Sequence, residues 1–105
     1  MLDLRLVETF VLLMDAGSLT RAEALSGIPK ATLSRQLAKL EHELGTQLFL
    51  RSNRRMAPTE AAKTFLLHGR QVLDEVSAGL DQARVAVQNL AEGIAGDVRV
   101  LTSNY

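Results

Sequence analysis

The chain has 105 residues, 47% of them hydrophobic and only 4% aromatic, which fits one small domain of packed helices. It contains no cysteine, which excludes disulfides and thiolate metal sites. No apolar run approaches the ~20 residues that span a bilayer, and the N-terminus lacks the pattern of a signal peptide. We therefore expect a soluble, cytoplasmic protein that does not contact the membrane.

The formal net charge is zero, but the charged residues are unevenly distributed. Between Ile28 and Arg55 six cations oppose two acids, a local charge of +4. From Thr59 to the C-terminus four cations oppose six acids, a charge of −2. A basic region of this kind is typical of a surface that binds nucleic acid, whatever the net charge of the whole chain.

Apolar spacing predicts a first helix over residues 4–16, with Phe10 on its inner face and Gly17 as a left-handed C-terminal cap. Ser18 is then placed to N-cap a second helix. The inward residues of that helix are expected to be Leu19, Ala22 and Leu25. Gly27 makes the turn into a third helix.

The third helix is predicted over residues 30–44, after Pro29 and before Gly45. Its inner face is a leucine stripe with spacings of four, three and four: Leu33, Leu37, Leu40 and Leu44. Its other sides carry small residues and hydrogen-bond donors: Ala31, Thr32, Ser34, Arg35, Ala38, Lys39 and His42. Such a surface can approach a DNA major groove closely, so residues 18–45 predict a helix–turn–helix.

A strand-like pattern follows over residues 47–51, then a turn and a second short strand over residues 55–57. A two-stranded hairpin is marginal by itself, so Leu48 and Phe49 are expected to anchor it on the helices. The predicted fold is therefore mainly α. It is a winged helix–turn–helix of three helices and a two-stranded wing over residues 1–58.

A long fourth helix is predicted over residues 59–90, with Thr59 as its N-cap. Its apolar positions repeat every 3.5 residues, as in a coiled-coil seam: Ala62, Leu66, Gly69, Leu73, Val76, Leu80, Ala83, Val87 and Leu90. Such a helix is about 48 Å long, too long to bury on a small domain, which predicts pairing with a second copy. The alternative is that the seam packs on its own domain.

Residues 91–105 predict a change of structure. The segment 91–96 contains two glycines and is expected to form a linker, and a strand pattern begins at Asp97. We interpret these residues as a hinge and the first strand of a further, effector-binding domain.

The chain resembles the N-terminal DNA-binding region of LysR-type transcriptional regulators over about residues 3–90. The residues that carry the resemblance are Phe10, Gly17-Ser18-Leu19-Thr20-Arg21-Ala22, Leu33-Ser34-Arg35-Gln36-Leu37, Leu40-Glu41, Leu44-Gly45, Leu48-Phe49, Arg51, Arg55 and Thr59-Glu60-Ala61. The resemblance implies a bacterial homodimer, paired antiparallel through its linker helices, that binds an interrupted inverted repeat in double-stranded DNA. It also implies that an effector ligand binds a C-terminal domain beyond this fragment.

Several residues of the third helix are candidates for DNA contact. Arg35 is expected to read guanine, whose O6 and N7 match a guanidinium, although a phosphate contact is the alternative. Lys30 can contact a guanine or a phosphate. Thr32 and Ser34 are candidates for base or phosphate contacts beside Ala31, with helix capping as the alternative for Thr32.

Two further groups are expected at the DNA. Arg51, Arg54 and Arg55 belong to the wing, where they can contact phosphates or the minor groove or merely keep an edge strand soluble. Thr20 and Arg21 begin the second helix and can bind backbone phosphate. The dimerisation residues are expected to be Leu66, Gly69, Leu73, Val76, Leu80, Ala83 and Val87.

Two functions compete. The first is a sequence-specific DNA-binding and dimerisation module. The second is a protein-interaction module that uses the winged helix only as a scaffold and the coiled coil as its working surface. No paired carboxylates, glycine-rich phosphate loop or histidine triad indicates an enzyme. His42 and His68 have no third ligand at metal spacing, so we expect no metal and no cofactor.

Overall fold

A computed structural model describes the backbone of residues 2–52 and 55–100 and the side chains of residues 2–50 and 56–93. Within these ranges the elements are, in chain order, α1 (Leu4–Ala16), α2 (Leu19–Ser26), α3 (Lys30–Leu44), β1 (Phe49–Ser52), β2 (Arg55–Pro58) and α4 (Glu60–Val100). The chain divides into two compact units, Met1–Leu73 and Asp74–Tyr105. The predicted mainly α fold with a two-stranded wing is confirmed.

The ends of the first three helices follow the predicted capping residues. Ser18 accepts a hydrogen bond from the Arg21 backbone N–H at 3.1 Å, which satisfies one of the unpaired donors at the start of α2. Gly17 ends α1 with a φ of 82°, and Gly45 ends α3 with a φ of 73°. A residue with a side chain is strained at such angles, so glycine is required where each helix stops.

The core of the first unit forms around Phe10, which is fully buried. Its ring lies 5.8 Å from that of Phe49 and 5.2 Å from that of Phe65, measured between centroids. Phe10 therefore joins α1 to the wing and to the start of α4. The buried residues that complete this core include Leu13, Ala22, Leu33, Leu37, Leu40, Leu48 and Ala62.

The prediction for α2 is wrong at one position. Ala22 is buried and Leu19 is partly buried against the core, as expected, but 62% of Leu25 is exposed. The helix has only eight residues and contributes one fully buried side chain. Leu25, three residues later, lies on the solvent side.

The wing is a two-stranded antiparallel sheet in which Phe49 pairs with Pro58 and Ser52 with Arg55. The first strand thus begins two residues later than predicted. Leu48 and Phe49 are buried in the core, so their predicted anchoring role is confirmed. The predicted turn lies largely outside the described residues, since these exclude 53 and 54.

The first turns of α4 pack on α1, and Thr59 caps the helix by accepting from the Ala62 N–H at 3.2 Å. Gly69 is buried, and a Cβ added there would lie 3.3 Å from Val7 Cγ1. Arg70 pairs with Asp15 at 2.6 Å. These contacts correct the prediction that Gly69 lies on a dimer seam, because its missing side chain accommodates α1 of its own chain.

Leu66 also packs against the core of its own unit. The beginning of the seam, at Leu66 and Gly69, therefore packs on its own domain, which is the alternative to pairing with a second copy.

In the second unit Val76 is half-buried, and the seam residues from Leu80 onward are exposed. Leu80, Ala83, Val87 and Leu90 all face solvent, with Leu80 67% and Val87 65% exposed. Beside them Arg84 donates to Asp81 at 2.6 Å and to Gln88 at 3.0 Å, pairings expected between residues three and four apart on a helix.

The predicted linker and strand after Leu90 are wrong as far as Val100, because α4 continues through both. A helix satisfies its backbone hydrogen bonds within itself, whereas a strand needs a neighbour to pair with. Gly93 and Gly96 cost helix propensity but do not end the helix. Residues 101–105 lie outside the described range, and the assignment of 91–105 to a further domain stays a prediction.

Two of the glycines inside α4, Gly69 and Gly79, provide a test of how the helix packs. Gly69→Leu should destabilise the chain by about 1–3 kcal/mol, because the added side chain meets Val7 and Val11. Gly79→Leu is the matched control, since a Cβ there has nothing within 4 Å and the helix gains up to about 1 kcal/mol in propensity. Urea unfolding at one fixed chain concentration measures both. Equal stability of the two variants would contradict the packing of α4 on α1.

Candidate nucleic-acid interface

The candidate surface is the side of α3 opposite its leucine stripe. Leu33, Leu37 and Leu40 are buried, which turns the rest of the helix outward. The outward positions are exposed as predicted: Lys30, Ala31, Arg35, Ala38, Lys39 and His42. The alanines at its centre have short side chains, so a flat or grooved partner can come close to the helix backbone.

Thr32 and Ser34 flank this surface and are half-buried. The Thr32 hydroxyl lies 3.4 Å from Nη2 of Arg35, at the long end of hydrogen bonding. This contact draws the guanidinium toward the N-terminal end of α3. The predicted contact of Thr32 with DNA stays a prediction.

The beginnings of α2 and α3 lie next to each other. Lys30 Nζ is 3.4 Å from Thr20 Oγ1, and both side chains are exposed, as is Arg21. The structure thus brings together three residues that the sequence predicted as phosphate contacts.

Arg51, Arg54 and Arg55 are the predicted basic residues of the wing. The backbone of Arg51 lies in β1 and that of Arg55 in β2, but both side chains are outside the described residues, as is all of Arg54. Their contacts with DNA stay predictions from the sequence.

Two polar contacts that the sequence did not reveal fix the position of α3. Thr9, which is 95% buried, donates to Oε1 of Gln36 and joins α1 to α3. Oε2 of Glu41 accepts from the Leu48 N–H at 2.8 Å and from the Phe49 N–H at 3.3 Å. The sequence contains one indication of the second contact. An acidic residue near the C-terminal end of a helix interacts unfavourably with the helix dipole, so Glu41 is expected to have a stabilising partner outside the helix.

The described side chains provide no group of three His, Asp or Glu that could hold a metal ion. Nor does any helix among the described residues have the length and apolar character needed to cross a membrane. His42 and His68 are both exposed.

The arrangement of these elements defines the class of protein. Three helices pack around one core, with α2 and α3 joined by a short turn, and a two-stranded wing follows α3 directly. The first unit is a winged helix–turn–helix domain.

The family follows from comparison with known proteins. Residues 4–63, more than half of the chain, match the model of bacterial regulatory helix–turn–helix proteins of the LysR family. The chain belongs to this family. It is 37% identical over 99 residues to the nitrogen assimilation regulatory protein nac of Klebsiella aerogenes, an alignment that covers 94% of this chain and 31% of that protein.

Other relatives agree. The chain is 39% identical over 84 residues to the transcriptional regulator AbaB of Streptomyces antibioticus, covering 76% of this chain and 28% of AbaB. The chain thus spans about a third of the length of the curated relatives that it matches.

Solved structures show the same fold bound to DNA. A CbnR_DBD–DNA complex matches with a TM-score of 0.77 and 28% identity, covering 82% of this chain and 99% of that one. A complex of BenM_DBD with benA site 1 DNA matches with a TM-score of 0.76 and 29% identity, covering 81% of this chain and 99% of that one.

Proposed function

We propose that this chain is the sequence-specific DNA-binding and dimerisation module of a bacterial transcription regulator, with α3 in the major groove. The observation that carries the proposal is the outward side of α3, where exposed cations surround a low centre of alanines. The DNA complexes of BenM_DBD and CbnR_DBD support it, since both have the fold of this chain. The activity is binding rather than catalysis, and binding to chromosomal DNA would place it in the cytoplasm.

Within the major groove Arg35 is the proposed base reader and Lys30 a phosphate contact. Arg35 is exposed near the middle of the outward side, where a guanidinium can reach guanine O6 and N7 together. Lys30 lies beside Thr20 at the start of α2, so these two side chains are positioned to bind one stretch of backbone. Thr32, Ser34 and Arg21 complete the proposed contact surface.

The proposed partner in assembly is a second copy of the chain. Leu80 and Val87 are apolar, more than half exposed and aligned on one side of α4, and their burial would be favourable. A two-fold dimer carries two copies of α3, which predicts an inverted repeat with half-sites about one helical turn apart. The wing arginines are proposed to contact the adjacent minor groove. An effector-binding domain outside this chain is proposed to control the dimer.

The decisive experiment is selection from a random duplex pool at near-physiological salt. Enrichment of an interrupted inverted repeat is expected, because only a dimer that reads bases selects such a sequence. A folded dimer that enriches no sequence would contradict specific reading by this chain. It would favour the alternative in which exposed apolar residues such as Leu25 and Leu50 serve a protein partner.

The base-reading role of Arg35 has a direct test. Arg35→Ala should lower the binding free energy at the selected site by about 1–3 kcal/mol and relax the base preference at one position of each half-site. Titration against the selected duplex and a repeated selection measure these two effects. Lys39→Ala, which removes an exposed cation from the same helix, should leave the base preference unchanged. An unchanged preference in Arg35→Ala would refute the proposed docking of α3.

The wing is tested by Arg54→Ala. Loss of a phosphate or minor-groove contact should weaken binding to all duplexes and reduce the slope of log K against log [salt] by about 1. Titrations at four salt concentrations give the slope. Retention of the full slope would show that Arg54 does not contact DNA.

The dimer is tested with two leucines of similar exposure. Leu80→Asp should produce a monomer, because a carboxylate on the seam would be buried between two chains without a partner. Leu67→Asp is the matched control, since Leu67 is 70% exposed, close to the 67% of Leu80, and lies off the seam. Sedimentation or mass photometry measures both. A dimer that survives Leu80→Asp would remove the coiled-coil interpretation.

A further inference from the structure

At the junction between α3 and the wing, the backbone N–H of Leu48 does not bond to its expected partner in the strand pairing, the Thr59 carbonyl. Continuing the strand pairing beyond Phe49 and Pro58 brings Leu48 opposite Thr59. The Thr59 N–H donates to the Leu48 carbonyl at 2.9 Å, as an antiparallel ladder requires. The return bond is not made: the Thr59 carbonyl accepts from the Lys63 N–H at 3.1 Å as α4 begins, and the Leu48 N–H points to another acceptor. The Leu48 N–H must therefore be satisfied from elsewhere.

Glu41 supplies that acceptor from the recognition helix α3. Its Oε2 accepts from the Leu48 N–H at 2.8 Å and from the Phe49 N–H at 3.3 Å. Both residues have fully buried side chains, so an unmet N–H at either position would be costly. Thr59 completes the junction, since its hydroxyl donates to the Gln47 carbonyl at 2.9 Å.

We infer that Glu41 is a positioning residue that fixes the wing relative to the recognition helix, so that both reach DNA at once. The inference rests on the proposed function of this chain. A carboxylate is suited to the task, because hydrogen bonds to an ionised acceptor are shorter and stronger than neutral ones. It also joins the start of β1 directly to the helix that carries Arg35.

The competing explanation is that the buried side chains of Leu48 and Phe49 hold the wing by themselves. The ring of Phe49 packs 5.8 Å from that of Phe10, which already ties the strand to α1. Apolar packing is non-directional, however, so it restricts small rotations of the wing relative to α3 less than hydrogen bonds to a carboxylate do. The two explanations differ in what happens when the carboxylate is removed and the apolar anchors remain.

The first experiment needs no DNA. Amide hydrogen exchange in Glu41→Gln and Glu41→Ala should be faster at Leu48 and Phe49, by about tenfold in the alanine variant, as expected when a charge-assisted hydrogen bond is lost. The glutamine variant should change less, since its amide oxygen still accepts one bond. Exchange within α1 should stay the same in both. Unchanged exchange at Leu48 and Phe49 would overturn the inference whatever the chain binds.

The second experiment uses the sign of the effect on DNA affinity. Removing a negative charge from a DNA-binding surface should by itself tighten binding, and Glu8→Gln, an exposed acid of the same unit, serves as the control for charge alone. If Glu41 positions the wing, Glu41→Ala should instead weaken binding by about eightfold at ~0.1 M salt, the contribution of one counterion-releasing contact. Tighter binding in Glu41→Ala, as in the control, would contradict the inference.

A combined substitution separates this inference from the function on which it rests. In a background with alanine at Arg51, Arg54 and Arg55, from which every predicted wing contact is removed, Glu41→Ala should cause little further loss of affinity. Full additivity would show that Glu41 acts elsewhere and would overturn the inference. Failure of the unaltered chain to bind any duplex would instead defeat the proposed function, while the exchange experiment would still decide whether Glu41 holds the wing.

Discussion

The burial of one leucine stripe determines the orientation of the candidate interface. Leu33, Leu37 and Leu40 are completely or almost completely buried. Because an α-helix has 3.6 residues per turn, the burial of these three leucines determines which residues of α3 face outward. The exposure of Arg35 and the low surface beside it are consequences of that burial. A change in the core that rotated α3 would therefore move the candidate contacts even if none of them were substituted.

Polar contacts then limit the movement that apolar packing permits. The bond between Thr9 and Gln36 ties α3 to α1, and the bonds from Leu48 and Phe49 to Glu41 tie it to the wing. Each is directional and partly shielded from water, so its loss leaves a partly or fully buried polar group without its partner. The core holds α3 in place, and these bonds specify its angle to the neighbouring elements.

Most of the fold could be predicted from the sequence because its signals are local. Gly17, Ser18 and Gly45 end or begin helices through their own backbone and side-chain chemistry, and α3 lies about where it was predicted. The position of Leu25 and the bonds of Glu41 depend instead on how separate elements meet, which spacing along one helix does not encode. The end of α4 was mispredicted for a related reason, since β-branched residues such as Val98 and Val100 favour a strand only when a neighbouring strand is present to pair with it.

The helix α4 has two roles that divide along its length. Up to about Gly69 its apolar residues complete the core of the first unit, where Ala62 is fully buried. Beyond Leu73 the same 3.5-residue pattern continues, but Leu80 and Val87 are mostly exposed. This part of α4 contains Gly79 and leaves apolar side chains exposed, so it has little stability by itself. The proposed dimer would supply that stability, and because association is favoured by mass action, folding of the second unit and pairing of the chains would then depend on concentration together.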